Sequence, residues 1–168
     1  MCHKAYALDH LAFTTDLAPT LYEALASGHD AALAEFISRN LARLTFPWEA
    51  KPLPADWRSV LENGDVHEVG DLALTLYYDA DADCGIQEHW LALEERLPSA
   101  ARASLLGEPF GPPDAVFDPG RMGSYFQSPS LAAQSRDALH SRSEPELQPF
   151  RALLDQVARL SKGIYVTF

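Results

Sequence analysis

Apolar residues keep a helical spacing over most of this chain and turn to strict alternation only in short stretches. Leu17, Leu21 and Leu25 recur at helical spacing and stop at Ser27-Gly28, a helix end. Leu33, Phe36, Ile37, Leu41 and Leu44 mark a second helix from about Asp30, ended by Phe46-Pro47-Trp48 and the prolines at 52 and 54. Ala55 to Leu61 reads as a short helix closed by Asn63-Gly64. Leu72, Leu74, Leu76 and Tyr78 then alternate with Ala73, Thr75 and Tyr77, the pattern of a half-buried strand. Helical spacing returns from Gly85 with Ile86, Trp90, Leu93 and Leu97.

A Gly- and Pro-rich loop covers Gly107 to Gly120, and Tyr125-Phe126-Gln127 is a short strand. Ser128-Pro129 is a helix start, with Ser as the cap and Pro in the first turn. The last helix carries Leu147, Phe150, Leu154 and Val157. Ile164, Val166 and Phe168 then alternate in a closing strand, which belongs inside a sheet because so apolar an edge would invite aggregation. Cys2 to Leu8 supplies one more strand. The pattern predicts an α+β fold, a single compact domain over 1–168 with a small mixed sheet packed by several helices. At 168 residues and 47% apolar content the chain is long enough for a proper core.

Charge is distributed unevenly. Between Ser59 and Glu95 there are ten carboxylates and no Lys or Arg. The 24 acidic residues of the chain fall to 14 outside this window, against 13 basic ones, so the formal charge of −11 is focused there. A focused field steers partners. The acidic balance argues against nucleic-acid binding, which needs clustered Lys and Arg, and against a polybasic membrane-surface protein. No apolar run approaches the roughly 20 residues that span a bilayer. The N-terminus lacks a secretory signal layout, and two cysteines, Cys2 and Cys84, are too few for a disulfide framework. The expected setting is a reduced cytoplasm.

Sites of reaction chemistry do not emerge. Asp79-Ala80-Asp81-Ala82-Asp83 resembles the start of a calcium loop, but Cys84 stands where the turning glycine belongs and Trp90 where the closing glutamate belongs. Cys84 with His89 or His67 as base is disfavoured, because Asp81, Asp83 and Glu88 push a thiol pKa upward. The six histidines form no zinc motif, and no nucleophile elbow or phosphate loop is present. Catalytic residues, metal ligands and cofactors are therefore not assigned.

The order of features resembles the YfbM-like family of uncharacterised small bacterial proteins. The resemblance rests on the N-terminal strand, the helix Leu21 to Phe36, and the Trp-bearing helix Gln87 to Leu97. Leu106-Gly107 before the glycine-rich loop, the Gly123 to Pro129 strand-to-helix step, and the closing Phe150 to Phe168 complete it. It implies a single α+β domain and carries over no catalytic residues.

The leading expectation is a non-enzymatic binding protein, an immunity-type antitoxin that neutralises a basic bacterial toxin. Its contact residues would be Glu68, Asp71, Asp79, Asp81, Asp83 and Glu88, with Trp48 or Trp57 as aromatic anchors. The second expectation is a small-molecule binder or enzyme with a pocket at the Gly107 to Gly123 loop, using Arg121, Tyr125, His89 and Glu88. The third is a homo-oligomeric structural module.

Overall fold

The computed structural model describes residues 1–168. Three strands, β1 (Lys4–Leu8), β2 (Ser124–Gln127) and β3 (Gly163–Thr167), form one sheet in the order β1-β3-β2. Both pairings are antiparallel, so the sheet is not mixed as the sequence led us to expect. The physical reason is that β1 and β2, which run the same way, never touch; each pairs only with β3, which runs against both. The closing strand does lie inside the sheet, and the fold is α+β.

Alternation along β3 divides the molecule. Tyr165 sits in one row with Tyr6 and Phe126, and these rings face a core with Leu8. Ile164 and Val166 face the other way, with Ala5, into a second core. Helices cover both faces, so the sheet is the middle of three layers.

The first face is covered by the N-terminal helices. Asp9 accepts the Ala12 amide and starts α1 (His10–Ala12), which passes through a π-helical stretch (Phe13–Leu17) into α2 (Ala18–Ser27). Gly28 ends α2 in the left-handed conformation, at φ 73°, which glycine adopts without steric cost. α3 (Ala31–Asn40) buries Leu33, Phe36 and Ile37. The expected helix at 55–61 is one 3-10 turn, Trp57–Val60.

The strand expected at 72–78 is instead the end of a helix, α4 (Val66–Leu74), and the turns after it. Asp65 caps α4 by accepting the Glu68 amide, and Glu68 reaches back to the amides of Asn63 and Gly64. This reciprocal capping nucleates the helix locally. Val66, Val69, Leu72 and Ala73 provide its helical stripe, while Leu74 is also buried. A helix buried on more than one side fills in apolar positions and so mimics alternation.

The second face is covered by α5 (Trp90–Arg96), α6 (Ser99–Leu106), α7 (Pro129–Leu139) and α8 (Gln148–Leu160). Ser128 accepts the Leu131 amide as the cap of α7, as its Ser-Pro start predicts. Phe150, Leu153, Leu154 and Val157 form the buried stripe of α8. Helix α5 starts at Trp90 rather than near Gly85 because residues 84–87 are held along the outer edge of the sheet. His3 and Gln87 exchange two backbone hydrogen bonds, and the Cys84 amide donates to the Ala5 carbonyl. The far edge is covered likewise, by paired backbone bonds between Glu108 and Phe126. Both edges are thus protected from pairing with another chain.

His3 locks this edge in place. It is fully buried, its Nε2–H donates to the Leu105 carbonyl at 2.8 Å, and its Nδ1 accepts the Ile86 amide. Burial lowers its pKa, so the fold holds the ring neutral, stacked on Trp90. Gly85 passes so close to the His3 carbonyl that a Cβ there would meet backbone. Gly85→Ala should therefore destabilise the protein by about 1–3 kcal/mol, read by urea denaturation. A variant as stable as wild type would show that the edge cover yields freely.

Candidate functional site

A cavity of about 390 Å³ lies at the Lys4–Thr167 end of the sheet, on its α4 side. Lys4 and Tyr6 from β1, Thr167 and Phe168 at the end of β3, and Asp71 with Leu72 from α4 line it together with Tyr78. Glu62 and Glu68 are also in its wall, and Pro47, Trp48, Val60 and Leu61 come from the connectors beside α4. Pro119 and Gly120 complete it from the glycine-rich loop. Gly120 lies so close to the Phe168 carbonyl that a Cβ would stand 2.9 Å from that oxygen.

Three tyrosines stack at the inner end. The rings of Tyr6 and Tyr78 are 4.7 Å apart between centroids, and those of Tyr78 and Tyr165 are 5.2 Å apart. Tyr165, fully buried, accepts from the Ser124 hydroxyl and donates to Asp71, each at 3.4 Å. Tyr6 and Tyr78 are 2% and 9% exposed, and their hydroxyls have no hydrogen-bond partner within the protein. Burial raises the pKa of both phenols, so they stay protonated at physiological pH.

Asp71 is the titratable centre. Burial pushes its carboxyl up to about 7, against the opposing pulls of the Tyr165 hydrogen bond and the Lys4 charge. The charged or titratable groups sharing its surroundings are Lys4 and Tyr6 from β1, Tyr165 from β3, Tyr78, and Glu62 and Glu68 in the cavity wall. A carboxyl poised there can donate as an acid or receive a cation as a carboxylate.

Only part of the acidic window converges here. Glu68 and Asp71 line the cavity, but Glu68 also holds Asn63 and Gly64, so its oxygens are largely engaged. Asp79 and Asp81 are exposed on the following loop, where Asp79 accepts the Asp81 amide and both border a shallow depression with Tyr78. Asp83 is turned to architecture. It accepts the amides of Ala5 and Gly85 and the Gln87 side-chain amide, fastening the edge segment to β1. Glu88 is exposed beside that segment. Trp48 stands 58% exposed at the cavity, whereas Trp57 is only 6% exposed and packs in the first core beneath Arg58. Trp57 is therefore not placed to be a surface anchor, because the 3-10 turn aims it inward.

The four residues of the glycine-loop expectation do not meet. Arg121 pairs with Asp65 at 3.3 Å, Tyr125 packs on the second core, and Glu88 and His89 are exposed at the start of α5. Burial, with Asp83 beside it, pushes the Cys84 thiol up, as its acidic neighbours lead one to expect. No group of three His, Cys, Asp or Glu side chains is arranged to hold a metal ion. Sequence reasoning missed Lys4, Tyr6, Glu62, Tyr165 and Thr167. The available signal was a tyrosine at a strand position otherwise held by aliphatic residues, which leaves a hydroxyl to satisfy.

No protein-family model, curated protein or solved structure matches the chain. No helix is long and apolar enough to cross a membrane.

Two tests separate architecture from site chemistry. Asp83→Ala should cost about 1–3 kcal/mol, since it strands buried amides, while Asp81→Ala should change stability by less than about 0.5 kcal/mol. Equal losses in denaturation would reverse that division. Asp71 has its folded pKa raised, so its contribution to stability is complete below about 4 and lost as pH rises to about 7. His3 slopes the other way, since its lowered pKa costs stability as pH falls below 6.5. In Asp71→Asn the Asp71 slope is removed, while the slopes of His3 and of His10, whose pKa burial also lowers, remain. The variant's stability should therefore gain on wild type steadily between pH 4 and 7. Parallel urea-denaturation curves across that range would show that Asp71 is not shifted.

Proposed function

We propose that this chain is a binding protein for a basic protein partner, in its most concrete form an immunity-type antitoxin that covers the cationic cleft of a bacterial toxin. The observation that carries this reading is convergence: Glu62, Glu68 and Asp71 share one cavity with the exposed Trp48. Carboxylates around an aromatic anchor are the composition of a binding hot spot for Lys- and Arg-rich surfaces. Asp79 and Asp81, exposed beyond Tyr78, extend the negative field outward and raise the rate of encounter. A cytoplasmic setting fits the unpaired Cys2 and Cys84. Kinship with the YfbM-like proteins is part of this proposal and adds no residue roles to it.

One observation favours a second reading. Pro119 and Gly120 bring the glycine-rich loop into the cavity wall, which then has the mixed polar and apolar lining of a small-molecule site.

Affinity capture with the full chain, paired with a bacterial two-hybrid selection, decides between them. The expected result is a basic protein whose capture falls about ten-fold or more from low to high salt and again in Glu62→Gln/Asp71→Asn. Recovery of only neutral or acidic partners, or capture indifferent to salt, would overturn the electrostatic reading.

A further inference from the structure

Tyr6 and Tyr78 are buried side chains in the wall of the cavity, and their hydroxyl oxygens open to it without a hydrogen bond inside the protein. A hydroxyl held by a buried ring and open to a cavity is free to bond whatever enters it. Two such hydroxyls on touching rings line the same cavity as Asp71, so acceptors are gathered at one place. We infer that this cavity receives a single guanidinium group, the side chain of an arginine presented by the basic partner, with Asp71 as its carboxylate and the Tyr6 and Tyr78 oxygens as further acceptors. This inference rests on the preceding reading of the chain as a receptor for a basic protein, and names what enters the site.

The chemistry of the wall selects the occupant. Three carboxylates, Glu62, Glu68 and Asp71, stand against one cation, Lys4, so an anion is disfavoured. A guanidinium offers five N–H donors in a planar fork, and here a carboxylate and two phenol oxygens supply acceptors at the inner end. It is weakly hydrated and stacks on aromatic faces, and the exposed Trp48 provides such a face at the cavity. An ammonium has fewer donors, carries a tighter hydration shell and leaves acceptors unfilled. About 390 Å³ admits one long side chain and not a folded segment.

Lys4 gives the inference a directional test. Its charge acts on Asp71, so it is the cation that an incoming guanidinium must displace or tolerate. Removing it should strengthen binding, the reverse of what most substitutions in a binding site do.

The experiment titrates the full chain with blocked single amino acids, Nα-acetyl-arginine methylamide and its lysine, citrulline and glutamate counterparts, followed by calorimetry and tryptophan fluorescence. Citrulline matches arginine in shape without its charge. The arginine derivative should saturate one site in the millimolar range, about ten-fold more tightly than citrulline and several-fold more tightly than lysine, with the glutamate derivative not binding. Lys4→Gln should tighten it several-fold. Asp71→Asn should weaken it about ten-fold, and Tyr6→Phe or Tyr78→Phe several-fold. The phenylalanine variants remove only an unpaired hydroxyl, so their thermal stability should match wild type and keep the test readable.

Equal binding of citrulline, preference for the glutamate derivative, or no saturation would overturn the inference. Capture of a salt-sensitive basic partner that is unchanged in Asp71→Asn and Tyr78→Phe would also overturn it, while leaving the wider binding reading intact. Saturable arginine binding with no basic protein ever recovered would support this site and count against that wider reading.

Discussion

Everything in this molecule hangs on the pairing of β3 with two strands at once. Its five residues alternate between two cores, Tyr165 with Tyr6 and Phe126 on one side, Ile164 and Val166 with Ala5 on the other. Neither helical layer has another surface to close against. The N-terminal helices bury their stripes on the tyrosine and phenylalanine face, and α8 buries Phe150, Leu154 and Val157 on the aliphatic one. A sheet this narrow has only edges on either side of its centre, so the backbone cover from residues 84–87 and from Glu108 is part of the fold's solvation and not an ornament.

The cavity follows from the same construction. Helix α4 crosses one end of the sheet, where the strands finish and connectors rather than helices complete the layer. Tyr165 joins core to cavity in a single side chain: its ring packs at the centre of the first core, and its hydroxyl relays a hydrogen bond from Ser124 to Asp71. The acidic window thereby divides by role. Asp65, Glu68 and Asp83 spend their oxygens on backbone amides, Asp79 and Asp81 remain in solvent, and Asp71 is drawn inward to a different protonation balance. Ten like charges in sequence do not make one surface.

What could be read from the chain was what local chemistry decides. Ser128-Pro129 starts α7 because a cap and its helix are neighbours in sequence, and Gly28 ends α2 for the same reason. The closing strand was legible because Ile164, Val166 and Phe168 alternate and nothing there competes with a helix. Leu72 to Tyr78 misled because a helix buried on several sides loses its polar face, and the deciding signal, Asp65 with Glu68, lies upstream of the apolar run. Residues 84–87 misled as well, since Ile86 falls in the helical spacing of Trp90, Leu93 and Leu97, while the pairing that holds the segment comes from residues 3–5, far away in sequence. The cavity was beyond reach for a related reason: Lys4, Asp71, Tyr78 and Thr167 meet only once the sheet exists. Trp48 and Trp57 sit in the same proline-rich stretch, and only the fold distinguishes the exposed one from the buried one.

The position of β3 between its neighbours has a kinetic corollary. Residues 4–8 and 124–127 share no hydrogen bond, so neither can begin a sheet with the other, and both wait for residues 163–167. Each of these pairings closes a long loop, roughly 160 residues in one case and 40 in the other, and the entropy of that closure is spent before any ladder rewards it. During synthesis, the N-terminal helices therefore emerge with their apolar stripes turned toward a sheet that does not yet exist. The last-made strand is the one on which the assembly of all the earlier parts depends.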